Sequence, residues 1–280
     1  MQADCHIHMV LDGLDWKSAL ARHKIAPDDG FIHAALQRYQ TLGYRYLRDG
    51  GDRWGAGKRA RELSSGYGIT YRTPLAPLCR VGCYGSFIGA TYETMKEYAQ
   101  LVVRARQEGA DFIKIMISGI MDFDVFGSLI KEAPPVDTIG QLVHIAHEEG
   151  MAVMAHGNGA APVLEAARAG VDSIEHGAYL SEEALQAMVQ AGTVWVPTLS
   201  TIGNLRGKGR FREEAVEQIL ESALENVNRF LGLGGIVAPG TDAGAWTVPH
   251  GSDTECGLLF QAGATQEDLQ RGITAIMEKF

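Results

Sequence analysis

Short runs rich in β-branched and aliphatic residues alternate along the chain with longer stretches whose apolar positions recur every three or four residues. A glycine usually separates the end of a long stretch from the next short run. This pattern predicts repeated βα units. Eight strands are expected: Ala3 to Met9, Tyr44 to Arg48, Ile69 to Pro74, Asp111 to Ile117, Met151 to His156, Val171 to His176, Thr193 to Leu199 and Gly235 to Pro239. Between them, Tyr92 to Glu108 places Met95, Tyr98, Ala99, Val102 and Ala105 on one helical face, and Thr138 to Glu149 does the same with Ile139, Leu142, Val143 and Ala146. Thr265 followed by Asp268 predicts a capped last helix running to about Met277. Eight strands alternating with helices favour an α/β fold of the closed (β/α)₈ TIM-barrel type, for which about 250 residues is typical, over an open doubly wound sheet. No linker or low-complexity tract divides the chain, so residues 1–280 read as one domain. A barrel carries a demand: chemistry should sit at the C-terminal ends of its strands.

Composition narrows the function class. With 46% hydrophobic and 21% charged residues, the chain is expected to be a soluble globular protein. A formal charge of −9 disfavours nucleic acid as a partner. No run approaches the roughly 18 apolar residues of a membrane span, and the start MQADCHIHM lacks a basic segment and an apolar core, so no membrane association and a cytoplasmic location are expected. Cys5, Cys79, Cys83 and Cys256 form no CxxC pair, which makes reduced thiols the default.

The candidate chemistry falls at strand ends. In Asp4-Cys5-His6-Ile7-His8, alternation turns His6 and His8 to one side and Ile7 to the other, so two imidazoles converge; a metal pair and a hydrogen-bonded core pair both fit. In the fourth strand the isoleucines at 113, 115 and 117 share one face and Lys114 points the other way, which in a barrel is inward. A buried ammonium needs a partner, a depressed pKa or modification, and an amine beside two cations can take up carbon dioxide as a bridging carbamate. A salt-bridged or snorkelling lysine is the plainer alternative. The fifth and sixth strands both end in His-Gly, at His156 and His176, two positions read here as equivalent. The last strand leads into Gly240-Thr241-Asp242-Ala243-Gly244, with Asp242 at its tip or simply forming a turn.

Together HxH, the lysine of FIKIMISG, AHGNG, SIEHG and GTDAG resemble the amidohydrolase superfamily in order and spelling, and are most similar to its branch of imidazolonepropionase-like proteins and metal-dependent prolidases or Xaa-amino-acid dipeptidases. The resemblance covers roughly residues 3 to 265. It implies two divalent metal ions, zinc being the first expectation although the nitrogen and oxygen donor set also suits manganese, cobalt or iron: His6 and His8 on one, His156 and His176 on the other, and carboxylated Lys114 bridging. Asp242 would ligate the first ion and pass a proton from the attacking hydroxide to the leaving group. The implied activity is hydrolysis of an amide in a small-molecule substrate, a dipeptide or N-acyl amino acid; an ester, lactone or cyclic amide would suit the same site, and a non-catalytic barrel scaffold is the alternative of another class. Relatives add a small β-sandwich to the barrel that this sequence lacks, so a homo-oligomer covering the bared surface is expected.

Substrate choice should lie in the loops. Arg48 could bind a substrate carboxylate or pair with Asp49 or another acid. Tyr84 could donate a hydrogen bond to the substrate, and His250, in VPHG after the last strand, is the further substrate-contact candidate. Arg206, Lys208, Arg210 and Arg212 form a basic cluster that could draw in an anion or merely be solvated. His144 and His147 fall on the polar side of their helix and read as surface residues.

Overall fold

The computed structural model describes residues 2–280. Its strands are β1 (Gln2–Ile7), β2 (Tyr44–Asp49), β3 (Thr70–Arg72), β4 (Leu78–Arg80), β5 (Ala90–Tyr92), β6 (Ile113–Met116), β7 (Ile120–Met121), β8 (Leu129–Ile130), β9 (Val153–Gly157), β10 (Ser173–His176), β11 (Val194–Val196) and β12 (Ile236–Val237). They form a three-stranded sheet, β1-β2-β3, a seven-stranded sheet, β12-β11-β10-β9-β6-β4-β5, and the β7-β8 hairpin. The two larger sheets are parallel throughout. Their outer strands are tied together by backbone hydrogen bonds. Cys5 N donates to Pro239 O (2.9 Å), and Asp242 N donates to His6 O (2.8 Å), which joins β1 to the chain leaving β12; Asp111 N donates to Thr73 O (3.0 Å) between the β3 and β6 ends.

All eight expected strands are present, most of them shorter than expected. β4, β5 and the β7-β8 hairpin were not foreseen. Each is two or three residues long, too short to show a period, and β4 is recruited by pairing Leu78 with Ile115 of β6. The helix expected from Tyr92 begins at Met95 instead, because Tyr92 is taken into β5. A capping box between Thr94 and Glu97 then sets the helix start. The helices Met95–Gln107 and Ile139–Glu148 end before Gly109 and Gly150, whose φ of +80° and +72° suits the left-handed turn that closes a helix. The last helix, Gln266–Lys279, has the expected Thr265 and Asp268 capping box.

Strand alternation divides the core. Ile113, Ile115, Ile117, Val153, Ala155 and Ile174 pack against Leu142, Val143 and Ala146 of the helical layer. From the same strands, Phe112 and Met154 point the other way and pack with Cys5, Tyr46, Val196, Ala238 and Phe280. Glu255, fully buried, is satisfied by Leu199 N, Ser200 N and Ser200 Oγ, at 3.1, 2.7 and 2.8 Å. No helix among the described residues is long and apolar enough to cross a membrane.

The last helix lies on β12 with Gly272 at the contact, where an added Cβ would strike the Val237 carbonyl. Gly272→Ala is therefore expected to lower stability by about 1–3 kcal/mol through overpacking. Urea unfolding followed by far-ultraviolet circular dichroism checks it: a lower midpoint with an unchanged native spectrum is the expected outcome.

Candidate active site

His6, His8, Lys114, His156, His176 and Asp242 all line one cavity of about 870 Å³. His6 Nε2, His8 Nε2 and Asp242 Oδ1 form a triangle with edges of 3.3, 3.3 and 3.5 Å. Among the described residues, these are the His, Cys, Asp and Glu atoms close enough together to hold a cation. Tetrahedral ligands at about 2.0–2.1 Å from a zinc-sized ion stand about 3.3–3.4 Å apart, so the triangle fits such an ion.

The other side of each ring is already engaged or enclosed. His6 Nδ1 donates to Glu175 Oε2 at 2.7 Å, which leaves its Nε2 lone pair facing the triangle. His156 Nε2 donates to Gly119 O at 3.0 Å and leaves Nδ1 free. His176 Nδ1 is hydrogen-bonded to Thr198 Oγ1 at 2.7 Å and leaves Nε2 free. The His156 and His176 rings lie 4.5 Å apart, centroid to centroid. Burial pulls the His8 and His156 imidazoles down to about 3 and holds His6 and His176 well below the usual histidine range, so all four are neutral bases at neutral pH.

Three buried polar atoms here have no hydrogen-bond partner: His8 Nδ1, Lys114 Nζ and Asp242 Oδ1. A buried orphan costs about 1–3 kcal/mol, and three in one place call for a ligand. Burial also lowers the Lys114 ammonium and raises the Asp242 carboxyl, favouring the uncharged form of each.

Local backbone geometry aims these groups. Ile7 packs into the core beside the helix Asp29–Thr41 while His6 and His8 converge, as alternation predicts. The two His-Gly endings are not equivalent, however. In register, His156 pairs with Glu175 and His176 lies one residue further on, beside Gly157. Alternation would turn His176 to the side of Ile174; a φ of +69° accompanies its position in the cavity instead. Thr198 and Asp242 share the left-handed region, at +49° and +57°. Asp4 fixes the loop carrying Asp242 by accepting from Thr241 N (2.9 Å) and Thr241 Oγ1 (2.6 Å).

Two expected substrate contacts are corrected. Arg48 is fully buried and does not line the cavity. Its Nη2 donates to both Glu175 oxygens at 2.9 and 3.1 Å, its Nε to Cys5 O and its Nη1 to Ser173 Oγ, and its guanidinium stacks 4.4 Å from Phe280. Its acid is thus Glu175 rather than Asp49. His250 is buried between Tyr39 Oη (3.2 Å) and Leu11 O (3.0 Å), so it anchors the loop after β1 instead of facing the cavity. Tyr84 does line the cavity, with its ring 4.7 Å from His156. His144 and His147 lie outside it, paired with Glu148 and Asp172. Glu175 and Thr198 were not foreseen. A charged residue between Ile174 and His176 in a buried strand was a legible signal for Glu175; Thr198 offered none.

No family model matches the chain. Ochratoxinase from Aspergillus niger is 25% identical over 283 residues, covering 89% of this chain and 57% of that protein. Imidazolonepropionase from Acidiphilium cryptum is 32% identical over 225 residues, covering 69% of this chain and 53% of that protein. The chain spans about half the length of these curated relatives. Among solved structures, a Xaa-Pro dipeptidase with bound methionine superposes with a TM-score of 0.77 at 20% identity, covering 99% of this chain and 75% of that one. Ochratoxinase from A. niger superposes at 0.76 and 21% identity, covering 98% and 68%. The fold of this chain is shared with these solved structures. The chain belongs to the amidohydrolase superfamily.

Two measurements test the structural roles of Arg48 and His250. Arg48→Ala leaves Glu175 buried without its counter-charge and is expected to cost about 3–5 kcal/mol in urea unfolding, whereas a purely substrate-binding arginine would leave stability unchanged. For His250, burial lowers the pKa from 6.5 to about 4. Between those values the unfolded chain takes up a proton that the folded chain does not, so stability falls as pH drops through that window. The loss between pH 7 and pH 5 should be about 2 kcal/mol smaller in His250→Asn than in the wild type.

Proposed function

We propose that this chain is a metal-dependent hydrolase that cleaves an amide bond in a small molecule, a dipeptide or N-acyl amino acid, at a binuclear site in the mouth of a (β/α)₈ barrel. The observation that carries the reading is the triangle of His6 Nε2, His8 Nε2 and Asp242 Oδ1, three lone-pair donors at the mutual spacing of tetrahedral metal ligands. His156 and His176 would hold a second ion. Lys114, carboxylated on its otherwise unpartnered Nζ, would supply the anionic ligand shared by both. The relatives named ochratoxinase, imidazolonepropionase and Xaa-Pro dipeptidase favour a carbonyl-centred hydrolysis over the scaffold alternative.

Divalent cations held there, zinc or another first-row metal suited to nitrogen and oxygen donors, would supply Lewis acidity, which polarises a carbonyl and lowers the pKa of water from about 15.7 towards 7. The remaining work falls to side chains. Asp242 takes a proton on its carboxylate as water is activated and returns it to the leaving nitrogen. Glu175 keeps the His6 proton on Nδ1, so Nε2 stays a ligand. Tyr84, in the cavity wall beside His156, donates to the substrate from its hydroxyl. Trp16, Phe87 and Trp246 add apolar wall that excludes water from the reacting bond.

The test is elemental analysis of protein prepared without chelator and with bicarbonate present, alongside Lys114→Ala. About two metals per chain, falling in the variant, together with release of amino acid from dipeptides or N-acyl amino acids, is the expected result. Negligible metal in well-folded wild-type protein after reconstitution would overturn the reading.

A further inference from the structure

The basic cluster in the loop after β11 separates, on inspection of its surroundings, into residues with different tasks. Arg212 ties this loop to the one after β6: its backbone N donates to Asp124 Oδ1 and its Nε to Asp124 O, at 2.8 and 3.0 Å. Arg206 lies 3.9 Å from Glu217. Lys208 borders a different surface groove, with Arg38 and Asp253. Arg210 lines the catalytic cavity. Its guanidinium sits 4.4 Å from the Trp246 ring and 5.3 Å from that of Phe211, and it makes no ion pair or hydrogen bond among the described residues.

That combination is unusual for an arginine in a chain of net charge −9, where carboxylates outnumber cations. Stacking occupies the face of a guanidinium and leaves its in-plane N–H donors free, in the fork that matches a carboxylate. The platform is itself supported, since Trp246 meets Phe211 edge-on at 6.2 Å and Phe211 meets Phe123 at 5.2 Å. Lys17 and Lys131 also line the cavity without an ion pair. The one lining carboxylate besides Asp242 is Asp15, and it is engaged in capping the helix Trp16–Arg22 by accepting from Lys17 N and Ser18 N. The cavity wall therefore offers three cations, Lys17, Lys131 and Arg210, that no carboxylate pairs with. Its apolar part includes Trp16 against Phe87, edge-on at 5.4 Å.

Resting on the proposed hydrolase reading, we propose that Arg210, laid on Trp246, is the specificity-determining residue that receives the free carboxylate of the amide substrate, with the apolar acyl group against Trp16 and Phe87. A substrate of this class presents one anionic end and one apolar end to a cavity of about 870 Å³, a size that takes a drug-sized molecule. Arg210 does not touch the reacting bond, so its contribution is to binding and orientation.

The experiment uses metal-reconstituted full chain and two matched amides: N-benzoyl-leucine, and the N-benzoyl alkylamine in which hydrogen replaces the carboxylate. Arg210→Ala is expected to raise KM for N-benzoyl-leucine about tenfold or more with kcat within about twofold, and to leave kcat/KM for the alkylamide unchanged. Arg210→Lys should recover part of the loss. Equal effects on the two amides, or none on either, would overturn the assignment. Calorimetric binding to the wild type and to Arg210→Ala separates this inference from the hydrolase reading. If neither amide is cleaved, the hydrolase reading fails for this class, yet Arg210-dependent binding of N-benzoyl-leucine still supports the carboxylate site. Binding that is undetectable in the wild type, or equal in both proteins, overturns it.

Discussion

A carboxylate buried between a guanidinium and an imidazole organises everything around it. Glu175 of β10 accepts from Arg48 of β2, from Ser173 Oγ and from His6 of β1, so one side chain joins three strands drawn from both sheets. Taking these charges out of water is costly, and the geometry is what offsets it: both Glu175 oxygens and all three guanidinium nitrogens have partners. Phe280 and Phe112 lie under the guanidinium, at 4.4 and 5.9 Å, and keep solvent from it. Above it, the same carboxylate dictates which His6 nitrogen carries the proton. The electrostatics of the core and the proposed ligand His6 are thus joined in one network through Glu175.

The residues whose roles could be read from spacing are those on regular backbone. Lys114 sits between Ile113 and Ile115 on an uninterrupted strand, so its direction followed from alternation, and His6 and His8 were placed by the same argument. His156 likewise follows Met154 inward. His176 was assigned to the site through an equivalence that the register does not support; it reaches the cavity with a positive φ that no periodicity encodes. Arg48 shows the reverse limit. Its inward direction was implicit in the strand, but whether it met substrate or an internal acid depended on Glu175, more than a hundred residues away along the chain. His250 failed for a similar reason, because the Tyr39 hydroxyl and Leu11 carbonyl that hold it come from elements with no sequence link to the loop it occupies.

Three of the seven described non-glycine residues with positive φ lie where function is proposed. His176, Thr198 and Asp242 all adopt left-handed conformations that cost a non-glycine residue roughly 1–2 kcal/mol, and Thr198 holds the His176 ring. To this strain are added the orphaned His8, Lys114 and Asp242 atoms. A fold optimised for stability alone would not keep both. A cation at the triangle would satisfy Asp242 Oδ1, the orphan that belongs to it, which links the site's local instability to ligand binding through mass action.

The cavity wall extends that reasoning outward. Buried lone pairs occupy its floor, with the aromatic ring of Tyr84 beside them, while Arg210 on Trp246 is an exposed cation joined to the protein chiefly by its stacked face. Floor and wall lie on different kinds of structure: the proposed ligands stand on or beside strands held by the sheets, whereas Arg210 rides on the loop after β11, pinned to Asp124 through its neighbour Arg212. Chemistry placed on strands and selection placed on loops can change independently, since a substitution at Arg210 leaves the Glu175 network untouched. That separation explains how a scaffold can keep one reaction class while exchanging the group that recognises the substrate's far end.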